Sequence, residues 1–478
     1  MADSSEEEQP GQDIINEILN KRMNRRKAIS TMGKVGAAAV LAGVVGAAGG
    51  YIVGGSGAGG NTGTTTVTAS GAGAIPKGSG TFKMGTSITT SGPTAPIIAK
   101  ASDMFNAIVS LVNARGGIYA EKLGGYVPIK VITYPDDGSA ASIKSNYTKL
   151  VTSDNIDFAL GPVGTTGALA ATSVTIPNGV PYIDCIAGEV PIFSQQNAGK
   201  WVVGAINVVN FWLWNYLNVL KTTDAKTVAI LDHGEDFTQD ISGNGAVALG
   251  GKQFAESLGF SVLTADHVNP TFSPNYDYTS EIQKLKSLNP DAVLYCDFAA
   301  IFSASMLRQM KTAGYKPKAY HAIQGSVGGF TSSVGDLKNG VSAEVYWDPS
   351  YPYQGFFGVD LWNKVRTQAG FTDLDFPWLS IDYMGLEIAC AAVQYAGTTD
   401  KTAVANALSS LQITALQGPW KAQNPVTLPF PPPSGVSIGV GQSPVIPSPI
   451  QWQNGNRVLI GPPNIATGKY IYPEPLNI

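Results

Sequence analysis

The residues best placed to meet a ligand lie in one short stretch, Asp157 to Thr172, which reads DFALGPVGTTGALAAT. A mostly apolar run stops at Gly161-Pro162, and Thr165 and Thr166 follow Gly164 before the chain turns alanine-rich. The first turn of a helix leaves backbone N–H groups unpaired and carries positive potential, so hydroxyls at such an entrance can seat an anion. The same hydroxyls can instead cap their own helix. On this segment alone both readings stay open.

Other chemistry-bearing patterns carry less. Gly435-Val436-Ser437-Ile438-Gly439 has the form GxSxG. A nucleophile elbow needs a strand before it, a helix after it and a later histidine. Prolines surround this one and the last histidine is His321, so no enzyme is expected. Gly55-Ser56-Gly57-Ala58-Gly59-Gly60 matches GxGxxG only through composition, with no strand before it and no helix after it. His233, His267 and His321 are too scattered for a helical metal pair. Asp232, His233, Glu235 and Asp236 in LDHGED could hold a cation at a strand end, or form a solvated loop. Cys185, Cys296 and Cys390 lie far apart with no CxxC, which speaks against a disulfide framework and a thiolate zinc site. They read as small buried hydrophobes, with a single bridge left open for an exported chain. No metal site and no cofactor is assigned. Asn146-Tyr147-Thr148 is a glycosylation sequon, usable only outside the cytoplasm.

The bulk composition narrows the partners. The 478 residues suit two or three domains, and 44% hydrophobic content can fill large cores. Only 14% of residues are charged, and Lys+Arg 31 against Asp+Glu 35 leaves no basic excess, so no nucleic-acid partner is expected. A surface wetted mainly by neutral polar groups would keep its character in acid.

The amino-terminal region reads as an address. Lys21, Arg22, Arg25, Arg26 and Lys27 precede a weakly hydrophobic stretch from Val35, the charge-then-apolar order of an export signal. Asn24-Arg25-Arg26-Lys27-Ala28-Ile29 resembles a twin-arginine motif, with Ala28 where a larger apolar residue is preferred. From Val35 to Val53 the apolar run is long enough to span a bilayer, so residues 1–53 are either a cleaved signal or a retained membrane anchor. Residues 54–81 are a Gly/Ser/Thr-rich linker, too poor in large apolar side chains to fold.

These patterns need elements to position them. From Phe82, strand TFKMGTSIT, helix PIIAKASDMFNAIVSLVNARGG, strand YVPIKVITYPDDG, helix SAASIKSNYTKLVTSDN, strand IDFALGPVG, helix TTGALAATSVTIPNG and strand VPYIDCIAG follow in turn. The rhythm restarts near Lys226 with KTVAILDHG, helix GNGAVALGGKQFAESLG, strand FSVLTADHV, helix YTSEIQKLKSLN, strand DAVLYCDFA and helix IFSASMLRQMKTAGY. Repeated βαβ units imply an α/β fold of parallel sheets flanked by helices. Ligands of such sheets bind off the carboxyl ends of the strands.

SGPTA, VNARGGI, VITYPDDGSAASIKSNYTKLV, DFALGPVGTTGALAA, GVPYIDCIAG, DAVLYCDFA, LRQMKTAGY and LSIDYMGLEIACAAV occur in this order. Their order and spacing from about Lys83 to Lys469 resemble substrate-binding proteins of the branched-chain amino acid (Leu/Ile/Val-binding) type, which have the type I periplasmic binding protein fold and serve ABC importers. The resemblance implies two Rossmann-like lobes joined by a three-crossing hinge, near Ala205, near Trp347 and after Gly418. Lobe one would be 82–205 plus 350–418, and lobe two 206–349 plus 419–478. It also implies that Thr165 and Thr166, with backbone from Ala187 through Gly188 to Glu189, seat a ligand carboxylate, and that Ser91 contributes from the first strand-helix loop. Phe237, Phe298 and Gln324 would close from lobe two, the aromatics as an apolar lid.

The chain departs from the amino-acid-binding pattern where that pattern holds the ammonium. Asn207-Val208 and Gln324 stand where acids are expected. An unpaired buried charge costs several kcal/mol, so an amino acid ligand requires Asp236, Glu189 or Asp297 as a substitute. A carboxylate without an amine, an amide or a neutral polar solute competes. The resemblance thus implies an extracytoplasmic solute-binding protein, tethered or secreted, that hands a small molecule to an ABC permease. The alternative is a sensor ectodomain of the same fold.

Overall fold

The computed structural model describes residues 76–478 apart from 93–94, 194–197, 373–376, 423–429 and 435. The expected signal or anchor and nearly all of the linker lie outside the described residues. The linker's last residues do not: Lys77 pairs with Tyr126, and the Gly78 N–H donates to the Tyr126 carbonyl at 2.9 Å. Among the described residues no helix is long and apolar enough to cross a membrane.

The first lobe is built on β1 (Phe82–Thr89), a small hairpin of β2 (Ile118–Ala120) and β3 (Gly125–Val127), then β4 (Ile129–Asp136), β5 (Phe158–Leu160), β6 (Tyr182–Asp184) and β7 (Val202–Gly204). The main sheet runs β4-β1-β5-β6-β7, every neighbour parallel. Its inner strands are buried almost throughout because helices cover both faces. Phe82, Met84, Phe158 and Leu160 are fully buried. The second lobe holds β8 (Thr227–Asp232), β9 (Ser261–His267), β10 (Ala292–Tyr295), β11 (Ala319–Ala322) and β12 (Ser342–Val345). A hairpin of β13 (Gln412–Ala415) and β14 (Gly418–Lys421) follows, and β15 (Ser448–Gln453) and β16 (Asn456–Leu459) then extend the second sheet. That sheet runs β16-β15-β12-β11-β10-β8-β9, with only β15 and β16 antiparallel.

The parallel strands of each lobe therefore have the same doubly wound order, in which the first strand lies between the second and the third. The order reverses between β1 and β5 in one lobe and between β8 and β10 in the other. Crevices open at the carboxyl ends of those strands. The two reversals place Ser91 and Thr165 at one rim, and Asp236, Phe237 and Phe298 at the other.

Two details differ from the sequence reading. YVPIKVITYPDDG is two strands, because Pro128 separates hairpin strand β3 from sheet strand β4. The helix expected over GNGAVALGGKQFAESLG occupies only Gly251–Ser257, and an earlier helix, Asp236–Ser242, stops at Gly243, in left-handed conformation with φ 88°. The third return between sheets, expected after Gly418, runs between Gly441 and Pro447. The Gly204 N–H still donates to the Gly441 carbonyl at 2.8 Å, whereas Asn215 Nδ2 in the second lobe donates to the Pro447 carbonyl at 2.7 Å. Cys185, Cys296 and Cys390 are buried and free.

Candidate functional site

Thr165 opens the helix Thr165–Thr175, with Gly164 at its entrance at φ 79° and no side-chain cap. The loop before it is zipped to the next strand, since the Gly161 N–H donates to the Ile183 carbonyl and the Gly164 N–H to the Ile186 carbonyl. Thr165 is half-buried and Thr166 exposed. Thr166 lines a shallow outer groove of about 520 Å³ with Ala140, Lys144, Leu169 and Ser173. Ser91 stands exposed in the loop after β1. Nearby, Asp136 accepts from Ser87 Oγ at 2.5 Å and from Thr89 Oγ1 at 2.8 Å. Asn146 Nδ2 is spent on Ser87 Oγ and the Pro135 carbonyl, which leaves the sequon's amide internally bonded.

The backbone expected to receive a ligand carboxylate is largely occupied. The Gly188 N–H donates to Asp184 Oδ2 at 2.7 Å, and the Gly188 carbonyl accepts from the Val209 N–H at 2.8 Å. Gly188 has φ 73°, and a Cβ there would lie 2.7 Å from the Asn207 carbonyl oxygen, so only glycine fits against the crossing. Burial pushes the Asp184 carboxyl up to about 7 against the pull of the Gly188 and Ala187 amides. Glu189 is buried as well. Desolvation raises its carboxyl to about 7, opposed by the Thr165 hydroxyl and reinforced by Asp240, Asp236 and Glu235. The Thr165 hydroxyl thus meets the protein's own carboxylate.

In the second lobe, LDHGED is structural rather than an open cation site. Asp232 accepts from His267 Nδ1 at 2.5 Å, the Gly234 N–H at 2.8 Å, Ser242 Oγ at 2.6 Å and Asn244 Nδ2 at 2.8 Å. Glu235 caps the following helix by accepting from the Phe237 and Thr238 amides. Asp236 is exposed and Phe237 half-buried, while burial beside Asp236 and Glu235 lifts Asp240 to about 6. Phe298 belongs to a separate aromatic group, 5.5 Å from His233, 5.3 Å from Phe272 and 5.4 Å from Phe302. The Gln324 N–H donates to Asp297 Oδ1 at 3.1 Å, and both residues are buried.

The crossings bring some of these residues together. Tyr346, just past β12, donates its hydroxyl to Asn207 Oδ1 at 2.5 Å, tying the second crossing to the first. Trp212, just past the first crossing, packs 5.5 Å from Tyr346, 5.3 Å from Phe237 and 5.3 Å from Trp378, the last on the helix Pro377–Ala396. Thr165, Glu189, Asp236 and Phe237 therefore converge on the first crossing. Phe298 and Gln324 sit at neighbouring strand ends, Ser91 is exposed beyond β1, and Thr166 lies on the outer groove. Sequence reasoning missed Trp212, Tyr346, Trp378 and Asp240. Trp212 lies in NFWLWNYL, whose unbroken apolar character signals burial and not a site.

The chain matches the family model described as periplasmic binding protein over residues 81–426. A curated relative, the Leu/Ile/Val-binding protein homolog 7 of Brucella abortus, is 26% identical over 266 residues, covering 54% of this chain and 62% of that relative. A leucine-binding protein from Thermotoga maritima has a similar structure, with TM-score 0.60 at 12% identity, covering 79% of this chain and 97% of that one. An ABC-transporter solute-binding protein from R. palustris in complex with benzoate gives TM-score 0.59 at 16% identity, covering 80% and 96%.

Proposed function

Because the chain belongs to the periplasmic binding protein family, we propose that it captures a small molecule between its two lobes outside the cytoplasm and delivers it to an ABC importer. The family and fold are those of solute-binding proteins and not of enzymes. The observation that carries the reading is the meeting of both strand-end rims at the tied crossings, around Asn207 and Tyr346. Contacts made with both lobes stabilise only the shut form, and that difference in affinity drives closure.

The ligand class is an amino acid, an amide or a carboxylate-type solute. The names of the relatives support the first and the last. A thermal-shift screen with amino acids, organic acids, amides and sugars tests the reading, because stabilisation grows with ligand concentration over its dissociation constant. X-ray scattering of a hit should then show a smaller radius of gyration. A verified hit that leaves the scattering profile unchanged removes the closure mechanism. The second reading, a sensor ectodomain, predicts a signalling partner in place of a permease on affinity capture.

A further inference from the structure

Four aromatic rings, drawn from both lobes and from two of the crossings, meet where the lobes adjoin. Trp212 follows the first crossing and Tyr346 the second, and the hydrogen bond from Tyr346 to Asn207 keeps the crossings together. Trp378 comes from the helix Pro377–Ala396, which packs on strands β5 and β6 of the first lobe. Phe237 comes from the helix Asp236–Ser242 at the rim of the second lobe. Ring centroids lie 5.5 Å apart for Trp212 and Tyr346, 5.3 Å for Trp212 and Trp378, and 6.3 Å for Tyr346 and Trp378. Phe237 completes the group, edge-on to Trp212 at 5.3 Å and 87°, and 6.2 Å from Trp378.

Each of these separations falls in the range where aromatic pairs attract. Trp212, Tyr346 and Trp378 are 2%, 2% and 3% exposed. A hinge motion that carried Phe237 away from Trp378 would wet indole surface that is now covered, and the hydrophobic effect opposes that. The contact is made entirely by the protein's own side chains. Against it act the like charges of Glu189 in lobe one and Asp240, Asp236 and Glu235 in lobe two. Rings therefore draw the seam together while carboxylates push it apart.

We propose that Phe237 and Trp378 form an aromatic latch between the lobes, seated on Trp212, which holds a fraction of the protein shut before any solute arrives. The resemblance implied that Phe237 covers a ligand; in the latch its ring covers Trp212 and Trp378 instead. The inference rests on the two-lobed solute-binding reading and adds to closure a contribution from within the chain. A solute then completes a shift that the rings begin, and its apparent affinity rises in proportion to the fraction held ready.

Distances between the lobes read the latch directly. Lys144 and Glu256 are exposed, on the helices Ala140–Thr152 of lobe one and Gly251–Ser257 of lobe two, while Cys185, Cys296 and Cys390 are buried. Spin labels on the full chain carrying Lys144→Cys and Glu256→Cys thus report the hinge with the native thiols covered. Without added solute, the distance distribution should hold a shut and an open population. Phe237→Ala and Trp378→Ala should each lower the shut-to-open ratio about two- to tenfold, the range that one aromatic pair supplies. Both together should lower it little further, because they remove one shared contact. Phe237→Leu, which keeps apolar bulk without the ring, should lie between wild type and Phe237→Ala. A cooperative melt shows that each variant is folded; should Trp378→Ala fail there, the two variants of half-buried Phe237 carry the test. A ratio unchanged in Phe237→Ala overturns the latch, as does a wild type with no shut population. In the second case, closure on a screened hit would leave the solute-binding reading standing.

Discussion

Asp232 and Glu189 are both acids at the carboxyl-terminal rim of a parallel sheet, 0% and 3% exposed. Asp232 is met by four donors, and Glu189 keeps an oxygen with none. Burial alone does not separate an acid whose oxygens are all spent on the fold from one with an oxygen left over. The donor inventory does, because a fully satisfied carboxylate has nothing left to offer a ligand.

The widest test of that contrast is to delete the satisfied acid. Asp232→Ala leaves donors facing a void and should cost about 3–5 kcal/mol in urea unfolding. A loss below about 1 kcal/mol would mean that the rim of lobe two does not depend on it. Glu189→Gln should cost nothing at pH 8 in the same assay.

The pH dependence is expected to come next in size. Burial holds Asp184, Glu189 and Asp297 up to about 7 and Glu474 up to about 8. The unfolded chain releases these protons near pH 4, so their stabilisation is complete below that pH and lost as pH rises through 7 to 8. Burial lowers His233 to about 4 and His321 to about 3. Their contribution is present above about pH 6.5 and lost as pH falls below it. The carboxyls outnumber the imidazoles, so stability should be greatest in acid and fall toward pH 8.5 by on the order of a few kcal/mol, with the melting temperature following it. Glu189→Gln should flatten the alkaline limb. Equal wild-type melting at pH 5.5 and 8.5 would break the contrast.

Smaller effects sharpen it. Tyr346→Phe removes the hydroxyl that Asn207 accepts and should cost about 1 kcal/mol while broadening the scattering-derived size distribution. Unchanged stability and size would show that the crossings are not coupled there. Thr165→Ala should shift stability by no more than about 1 kcal/mol, because it removes only one neutral hydroxyl from Glu189. A larger loss would make Thr165 a structural residue in its own right.

Much of this architecture was legible in the sequence because helix and strand periods alternate so regularly. The strand order was not, since β5, β6 and β7 are three residues each and carry no pairing information of their own. The third return was hidden because the proline-rich stretch after Gly418 has no periodicity to mark where it leaves one sheet for the other. Thr165 and Phe237 could be picked out from loop chemistry and resemblance. The capture of the Gly188 amide by Asp184 could not, because it depends on a turn that only the packed crossing imposes.

The closing hairpin has a consequence for how the chain is made. Strand β12 finds its outer neighbour only in β15, and the Tyr320 amide finds its acceptor only in Glu474. The helix Pro377–Ala396 that serves the first lobe is threaded between these partners in the chain. Neither lobe can be finished while the polypeptide is still short: the first sheet waits for a covering helix and the second stays open at β12 until β15 has left the ribosome, and holding that nascent material apart from its neighbours becomes the cell's task.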